Sequence, residues 1–266
     1  MRTQQIIIMR PQNRQSKLLL ACLLLFSCFV VLHTDAKPAV PPVRVACVGN
    51  SITYGTGIAN RDKDSYPAQL QAMLGNKYLV GNFGKPGATL LRHGHRPYFK
   101  QQEFRDAMAF HADIAVIHLG INDTDPRNWP NYRDEFVTDY LALIDSLRQA
   151  NPKVRIILAR LSPIAHRHPR FISGTQQWHE QIQASIETVA AISGSELIDF
   201  HAPLYPYPFL LPDAIHPNAE GAGIMAKVVY GSITGNYGGL HLPAVYTDNM
   251  VSVSYTHLTL PTTPYV

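Results

Sequence analysis

Cysteine, net charge and long apolar runs are all scarce in this chain of 266 residues. Each scarcity excludes something. The cysteines are Cys22, Cys28 and Cys47. The first two fall in a stretch with the marks of an export leader. Arg2, Arg10, Arg14 and Lys17 form a basic start, and Leu18 to Leu32 is a 15-residue apolar run that includes Ser27. Thr34-Asp35-Ala36 then supplies a small-residue cleavage point. The expectation is a signal peptide over 1–36, since the apolar run is short for a membrane span. An uncleaved signal anchor is the alternative. Leu25-Phe26-Ser27-Cys28 is a poor lipobox, which leaves a lipid anchor at Cys28 open. The expected destination is therefore secreted or periplasmic, with a surface lipoprotein as the variant. After leader removal Cys47 stands alone, so no internal disulfide forms. Inside an apolar strand it is a small core residue rather than a reactive thiol.

The leader also explains the charge. Its four bases and one acid account for +3 of the formal net charge of +4 and leave +1 for the rest. No basic patch remains to bind nucleic acid, and no stable membrane insertion is expected after cleavage. Histidine pairs occur at His93/His95 and His166/His168, but neither has a convincing third ligand nearby. No metal and no cofactor are expected.

Past a Pro-rich linker at 37–42, strand-like and helix-like patterns alternate. Short apolar runs at Val43–Val48, Tyr78–Asn82, Ile114–His118, Val154–Ala159 and Glu196–Asp199 read as strands. Helical periodicity covers about Ser65–Leu74, Gln101–Phe110, Tyr132–Ala150, Thr175–Ser193 and Ala219–Tyr230. Five buried strands separated by helices imply a parallel sheet covered on both faces, an α/β fold. Ligands in such sheets sit at the carboxyl ends of the strands. Gly231 to Leu242 is Gly-rich and loop-like. The last stretch, 252–266, is Thr-rich, uncharged and without period, and is expected to be a non-native tail.

Four features gather at strand ends. "VACVGNSITYG", residues 45–55, delivers Ser51 to the end of the first strand, where it serves either as a helix cap or as a nucleophile. "NFGKPGATL", residues 82–90, places Gly87 after the second strand. "HLGIND", residues 118–123, places Asn122 and Asp123 after the third. "LPDAIHPNAEGA", residues 211–222, sets Asp213 and His216 three apart before a helix capped by Asn218. On a tight turn that spacing lets a carboxylate reach an imidazole. Ester hydrolysis needs these parts together. A serine needs a base to take its proton, histidine suits that role near neutral pH, and a carboxylate fixes the ring. The Ser51 N–H, the Gly87 N–H and the Asn122 amide are the available donors to an oxyanion.

Together these blocks, Gly49-Asn50-Ser51-Ile52-Thr53, Gly87 within "GKPGAT", Gly120-Ile121-Asn122-Asp123 and Asp213-Ala214-Ile215-His216-Pro217, resemble those of the SGNH (GDSL-like) hydrolase family over about Val43 to Tyr230. The resemblance implies a flavodoxin-like three-layer α/β/α sandwich with a five-stranded parallel sheet, placed at 43–235. It implies Ser51 as nucleophile, His216 as base, Asp213 as its partner, and Ser51, Gly87 and Asn122 as the oxyanion hole. Asn50 departs from the aspartate usual before the serine. The G-x-S-x-G elbow of the α/β-hydrolases is absent.

Three stretches look like the secreted carbohydrate-esterase branch: "RDKDSYPAQL" at 61–70, "NFGKPGATLL" at 82–91 and "DAIHPNAEGA" at 213–222. "GLHLPAVYTDNMV" at 239–251 resembles the opening of a sialate O-acetylesterase domain, so 236–251 is expected to begin a truncated second module. The implied partner is an O-acetylated carbohydrate, a sialic acid foremost. Arg92 and His93 are candidates to meet a sugar carboxylate, with a solvated basic loop the commoner alternative; Tyr98 and Trp129 are candidates to stack on a ring, with burial the commoner alternative. Rival readings are a lysophospholipase or thioesterase of the same superfamily, and a non-catalytic glycan-binding module.

Overall fold

The computed structural model describes residues 41–169 and 175–238. The expected leader with Cys28, most of the linker, the 239–251 motif and the 252–266 tail lie outside them. Within them the chain forms five strands: β1 (Val43–Gly49), β2 (Tyr78–Gly84), β3 (Ile114–His118), β4 (Arg155–Arg160) and β5 (Glu196–Asp199). All pair in parallel, in the order β2-β1-β3-β4-β5. The apolar runs form strands because both sheet faces are covered. All five residues of β3 are buried, as are the last five of β1. The edge strands β2 and β5 are only partly so.

The main helices are α1 (Ser51–Tyr54), α2 (Tyr66–Leu74), α3 (Gln102–Ala109), α4 (Phe136–Ala150), α5 (Gln176–Ser193) and α6 (Ala219–Thr234). Helices α2 and α6 pack together over one face, and α3, α4 and α5 cover the other. The result is a doubly wound, flavodoxin-like three-layer α/β/α sandwich. Helix α4 shows why the pattern works. It buries Phe136, Asp139, Tyr140, Leu143, Ile144 and Leu147, one stripe at helical spacing.

Two helix boundaries differ from the sequence expectation by four residues, the others by no more than two. The helix expected from Tyr132 starts at Phe136, because Trp129–Tyr132 closes a separate turn with Pro130 near its start. Trp129 is buried against Phe136, with ring centroids 5.4 Å apart, and this fixes the corner between the two. At the other end, α6 runs into the glycine-rich stretch as far as Thr234 and stops at Gly235, whose φ of 74° provides the left-handed cap. Gly231 sits inside the helix because Tyr237 packs on it; a Cβ there would lie 2.2 Å from Tyr237 Cδ1.

The central strand β3 is buried along its whole length. Truncating Ile117, fully buried on β3, to alanine is expected to cost about 2–5 kcal/mol, read as a lower midpoint in denaturant unfolding with an unchanged slope.

Candidate active site

Sheet register places the site. Gly49, the last residue of β1, pairs with Gly84 of β2 on one side and His118 of β3 on the other. Three loops therefore leave the sheet from one row. Ser51, Gly87 and Asn122 lie two, three and four residues beyond it.

Ser51 opens α1, but the helix cap is Asn50. The Asn50 side-chain oxygen accepts from Ile52 N at 3.0 Å, and its amide donates to His118 O at 3.4 Å. Asn50 is wholly buried. The residue before the serine thus ties β1 to β3, and the Ser51 hydroxyl is not spent on capping. It meets His216 Nε2 at 2.8 Å.

The imidazole arrives from the turn before α6. Its Nδ1 lies 2.6 Å from Asp213 Oδ2. Asp213 Oδ1 accepts the backbone N–H groups of Ile215 and His216, at 3.1 and 2.7 Å. With Nδ1–H donated to the carboxylate, Nε2 is left to accept the serine proton. Burial is the largest influence on Asp213 and pushes its carboxyl up. The His216 and Ile215 N–H groups and the imidazole together outweigh it and hold the group below the usual carboxylate range. Ala214, inside the turn, has a φ of 73°, a left-handed conformation that an alanine adopts only under constraint. That constraint comes from outside: Ala165 N–H donates to Ala214 O at 2.8 Å, and the Arg167 guanidinium to Leu211 O. At the far end Asn218 caps α6, accepting from Gly221 N at 2.9 Å.

The loops after β2 and β3 hold unspent donors. Among the described residues, neither the Ser51 N–H nor the Gly87 N–H has an acceptor. Gly87 has a φ of 76°, and a Cβ there would crowd the Arg96 guanidinium at 3.2 Å, so glycine suits both the turn and the space. The Asn122 amide donates one hydrogen to Ala88 O at 2.9 Å, and its second remains. A hydroxyl, an imidazole and a carboxylate in series beside such donors can activate the hydroxyl and stabilise an oxyanion. Cys47 offers no rival nucleophile, since burial pushes its thiol up to about 12. Among the described residues no group of three or more His, Cys, Asp or Glu is placed to hold a metal ion.

The expected ring-stacking residues require correction. Tyr98 is fully buried and donates its hydroxyl to Phe83 O at 2.7 Å. Trp129 is 3% exposed and bonds Gln181 Oε1 at 2.7 Å. Each polar tip found an internal partner, so neither ring has a free face for a ligand. Arg92 and His93 are exposed. The Arg92 guanidinium lies over the Phe99 ring at 4.5 Å, and His93 Nδ1 meets Glu135 Oε2 at 2.7 Å.

Sequence reasoning missed the rings that are outside. Among the described residues the exposed large apolar side chains include two aromatics, Tyr205 and Phe209, at 49% and 66%. Both stand on the loop that ends in Asp213, and Phe209 packs edge-on to Tyr207. The alternation of proline and aromatic residues in "APLYPYPFLLP", 202–212, was the available signal. Further along that edge, Arg160, Gln176, His179, His201 and Tyr205 help line a cleft of about 340 Å³. Ser51, Asp213 and His216 are not among its walls.

The cap can be tested alone. Asn50→Ala is expected to lose about 1 kcal/mol of stability, read by thermal melting. Asn50→Asp keeps an acceptor for Ile52 N and is expected to recover most of that loss.

Residues 47–224 match the GDSL-like Lipase/Acylhydrolase family. An acetylxylan esterase of Xylanibacter ruminicola is 37% identical over 222 aligned residues, which cover 76% of this chain and 45% of that enzyme. The chain thus spans a little under half the length of this curated relative. Among solved structures, the acetyl xylan esterase AlAXEase aligns with a TM-score of 0.55 at 20% identity, over 72% of this chain and all of that one. A GDSL-like lipase of Bacteroides thetaiotaomicron aligns with a TM-score of 0.54 at 23% identity, over 74% of this chain and 92% of that one. The structures share the fold, and the sequence match adds the family: this chain belongs to the GDSL-like lipase/acylhydrolases, the SGNH hydrolases.

Proposed function

We propose that the chain is a serine O-acetylesterase that removes acetyl groups from carbohydrate. The observation that carries the reading is the unbroken hydrogen-bonded series from Asp213 through His216 to Ser51. In the proposed cycle, Nε2 of His216 takes the Ser51 proton as Oγ bonds to the acetyl carbonyl carbon. The carbonyl electron pair moves to oxygen, where the N–H groups of Ser51 and Gly87 and the Asn122 amide receive it. Each such donor is worth roughly 10²–10³-fold in rate. Collapse breaks the bond to the sugar oxygen, which takes the proton from His216. Water then gives its own proton to Nε2, attacks the acetyl-serine and releases acetate, and Oγ recovers its proton. Asp213 holds the ring in one tautomer and stabilises the imidazolium.

The acetyl group and the sugar are inferred from the company the chain keeps. Its relative of 37% identity is named an acetylxylan esterase, which favours an acetylated plant-type polysaccharide. Exposed Tyr205 and Phe209 beside the Asp213 turn are rings of the kind that stack on sugars. A second reading, O-acetylated sialic acid, rests on the 239–251 motif, with exposed Arg92 and His93 available to a sugar carboxylate. Export of the enzyme, soluble or anchored through Cys28, rests on the leader. No helix among the described residues is long and apolar enough to cross a membrane.

The test is acetate release by the chain and by its Ser51→Ala variant. The substrates are an aryl acetate, acetylated xylan and O-acetylated sialic acid. The variant is expected to lose at least about 10⁴-fold in kcat while melting as the parent does. Preference for xylan over sialate supports the first substrate, and the reverse supports the second. Full activity without the Ser51 hydroxyl contradicts the mechanism. Preference for long acyl esters moves the chain to the lysophospholipase class, and binding of glycan without turnover to a lectin-like role.

A further inference from the structure

One buried carboxylate stands beside the site without a part in the proton path. Asp123 is fully buried. Its two oxygens accept the backbone N–H groups of Leu90 and Leu91, both at 2.9 Å. Those residues follow Gly87 by three and four positions, and Asp123 follows Asn122 directly. Asn122 grips the same loop from the other side, through Ala88 O. Two consecutive side chains of one loop therefore hold the other loop at Ala88, Leu90 and Leu91. The hold continues outward: Asp139 accepts Arg92 N at 2.7 Å, and Asn128 accepts His95 N at 2.9 Å. Asn128 also donates to Asn122 O at 2.8 Å. The root of the Gly87 loop is fixed by Lys85 N–H on Gly49 O at 2.9 Å. Asp123 begins this row, directly after Asn122 and bonded to the residues three and four beyond Gly87.

We propose that Asp123 is a positioning residue, whose carboxylate locks the Gly87 loop to the Asn122 loop and so sets the spacing of the two oxyanion donors. The inference rests on the esterase reading above. Both carboxylate oxygens face N–H donors, so the ionised form makes the tighter lock, through charge-assisted hydrogen bonds. Burial pushes the Asp123 carboxyl up to about 7, against the pull of the Leu91 and Leu90 N–H groups. The titratable groups that act on it are Asp139 and Tyr140 of α4. The loop opposite faces it with the Leu90 and Leu91 backbone N–H groups. Because the folded value lies above the unfolded one, ionisation costs folding stability as pH rises from about 4 to about 7. The same ionisation tightens the donors.

Steady-state kinetics of the full chain on an aryl acetate, from pH 5 to 9, tests this, with Asp123→Asn and Ser51→Ala alongside. The asparagine is nearly isosteric, but its amide cannot accept at both positions. The expected result is a fall of about 10- to 100-fold in kcat, with KM little changed, because displaced donors weaken the transition state and not the ground state. The wild-type acid limb is expected to be steeper near neutrality than one ionisation allows, and the variant's limb to follow a single ionisation. A purely structural loss would lower the amount of folded enzyme and leave the shape of the profile alone. Should Asp123→Asn not fold, the wild-type limb decides by itself. A single-ionisation wild-type limb, or a variant with the parent's kcat and profile, overturns the proposal. Activity retained by Ser51→Ala would instead overturn the esterase reading, so the two failures are distinct.

Discussion

Parallel pairing obliges every strand to be followed by a crossover, so all five carboxyl ends of the sheet share one edge. The rest of the site depends on that constraint. Gly49, Gly84 and His118 occupy one row of the sheet, and the loops bearing Ser51, Gly87 and Asn122 start from it. The three loops leave from aligned roots, because the backbone hydrogen bonds of β1 hold those roots in one row. Asn50 reinforces the alignment by bonding across to His118 O from the position just before the serine.

Against this fixed base, the Asp213–His216 turn is brought in from the far end of the fold and held by its neighbours. Ala214 adopts a left-handed conformation there, at a cost of order 1–3 kcal/mol. It persists because the 165–167 segment and the start of α6 hold the turn on both sides. The same logic governs the carboxylates. Asp213 is held ionised by nearby N–H groups and by the imidazole that needs it. Asp123 and Asp139 are raised by burial while the first accepts two loop N–H groups and the second accepts that of Arg92. The loops over the sheet are thus fastened by buried acceptors that are costly to ionise, a local loss offset by the core beneath.

Much of the fold was legible because strands buried on both faces are continuous apolar runs, and β1 and β3 are of that kind. Boundaries were less so. The start of α4 depends on where Trp129 is buried, and α6 runs through Gly231 because Tyr237 covers it. Both are contacts that no local pattern encodes. At the site, the Asp213–His216–Ser51 series was legible because each residue sits in a short block whose spacing serves its geometry, and Gly87 and Asn122 stand on the loops after β2 and β3 where they were expected. Asn50 was not seen as the cap, since either it or the serine satisfies the local rule. Tyr98 and Trp129, candidates to stack on a sugar, took the commoner fate of aromatics, burial, with Phe83 O and Gln181 Oε1 satisfying their polar tips inside. The N–H groups of Leu90, Leu91, Arg92 and His95 that Asp123, Asp139 and Asn128 accept lie more than thirty residues away in sequence, and only the fold brings them together.

The central claim is that the strand presents Ser51 for covalent chemistry. Inactivation of the full chain with an aryl phosphonate ester, followed by peptide mapping, tests it most directly. The account predicts one phosphonyl group per chain, carried by Ser51, with esterase activity lost in proportion to labelling and no labelling in His216→Ala. Activity that persists with Ser51 labelled, or inactivation with the label on another residue, would contradict it.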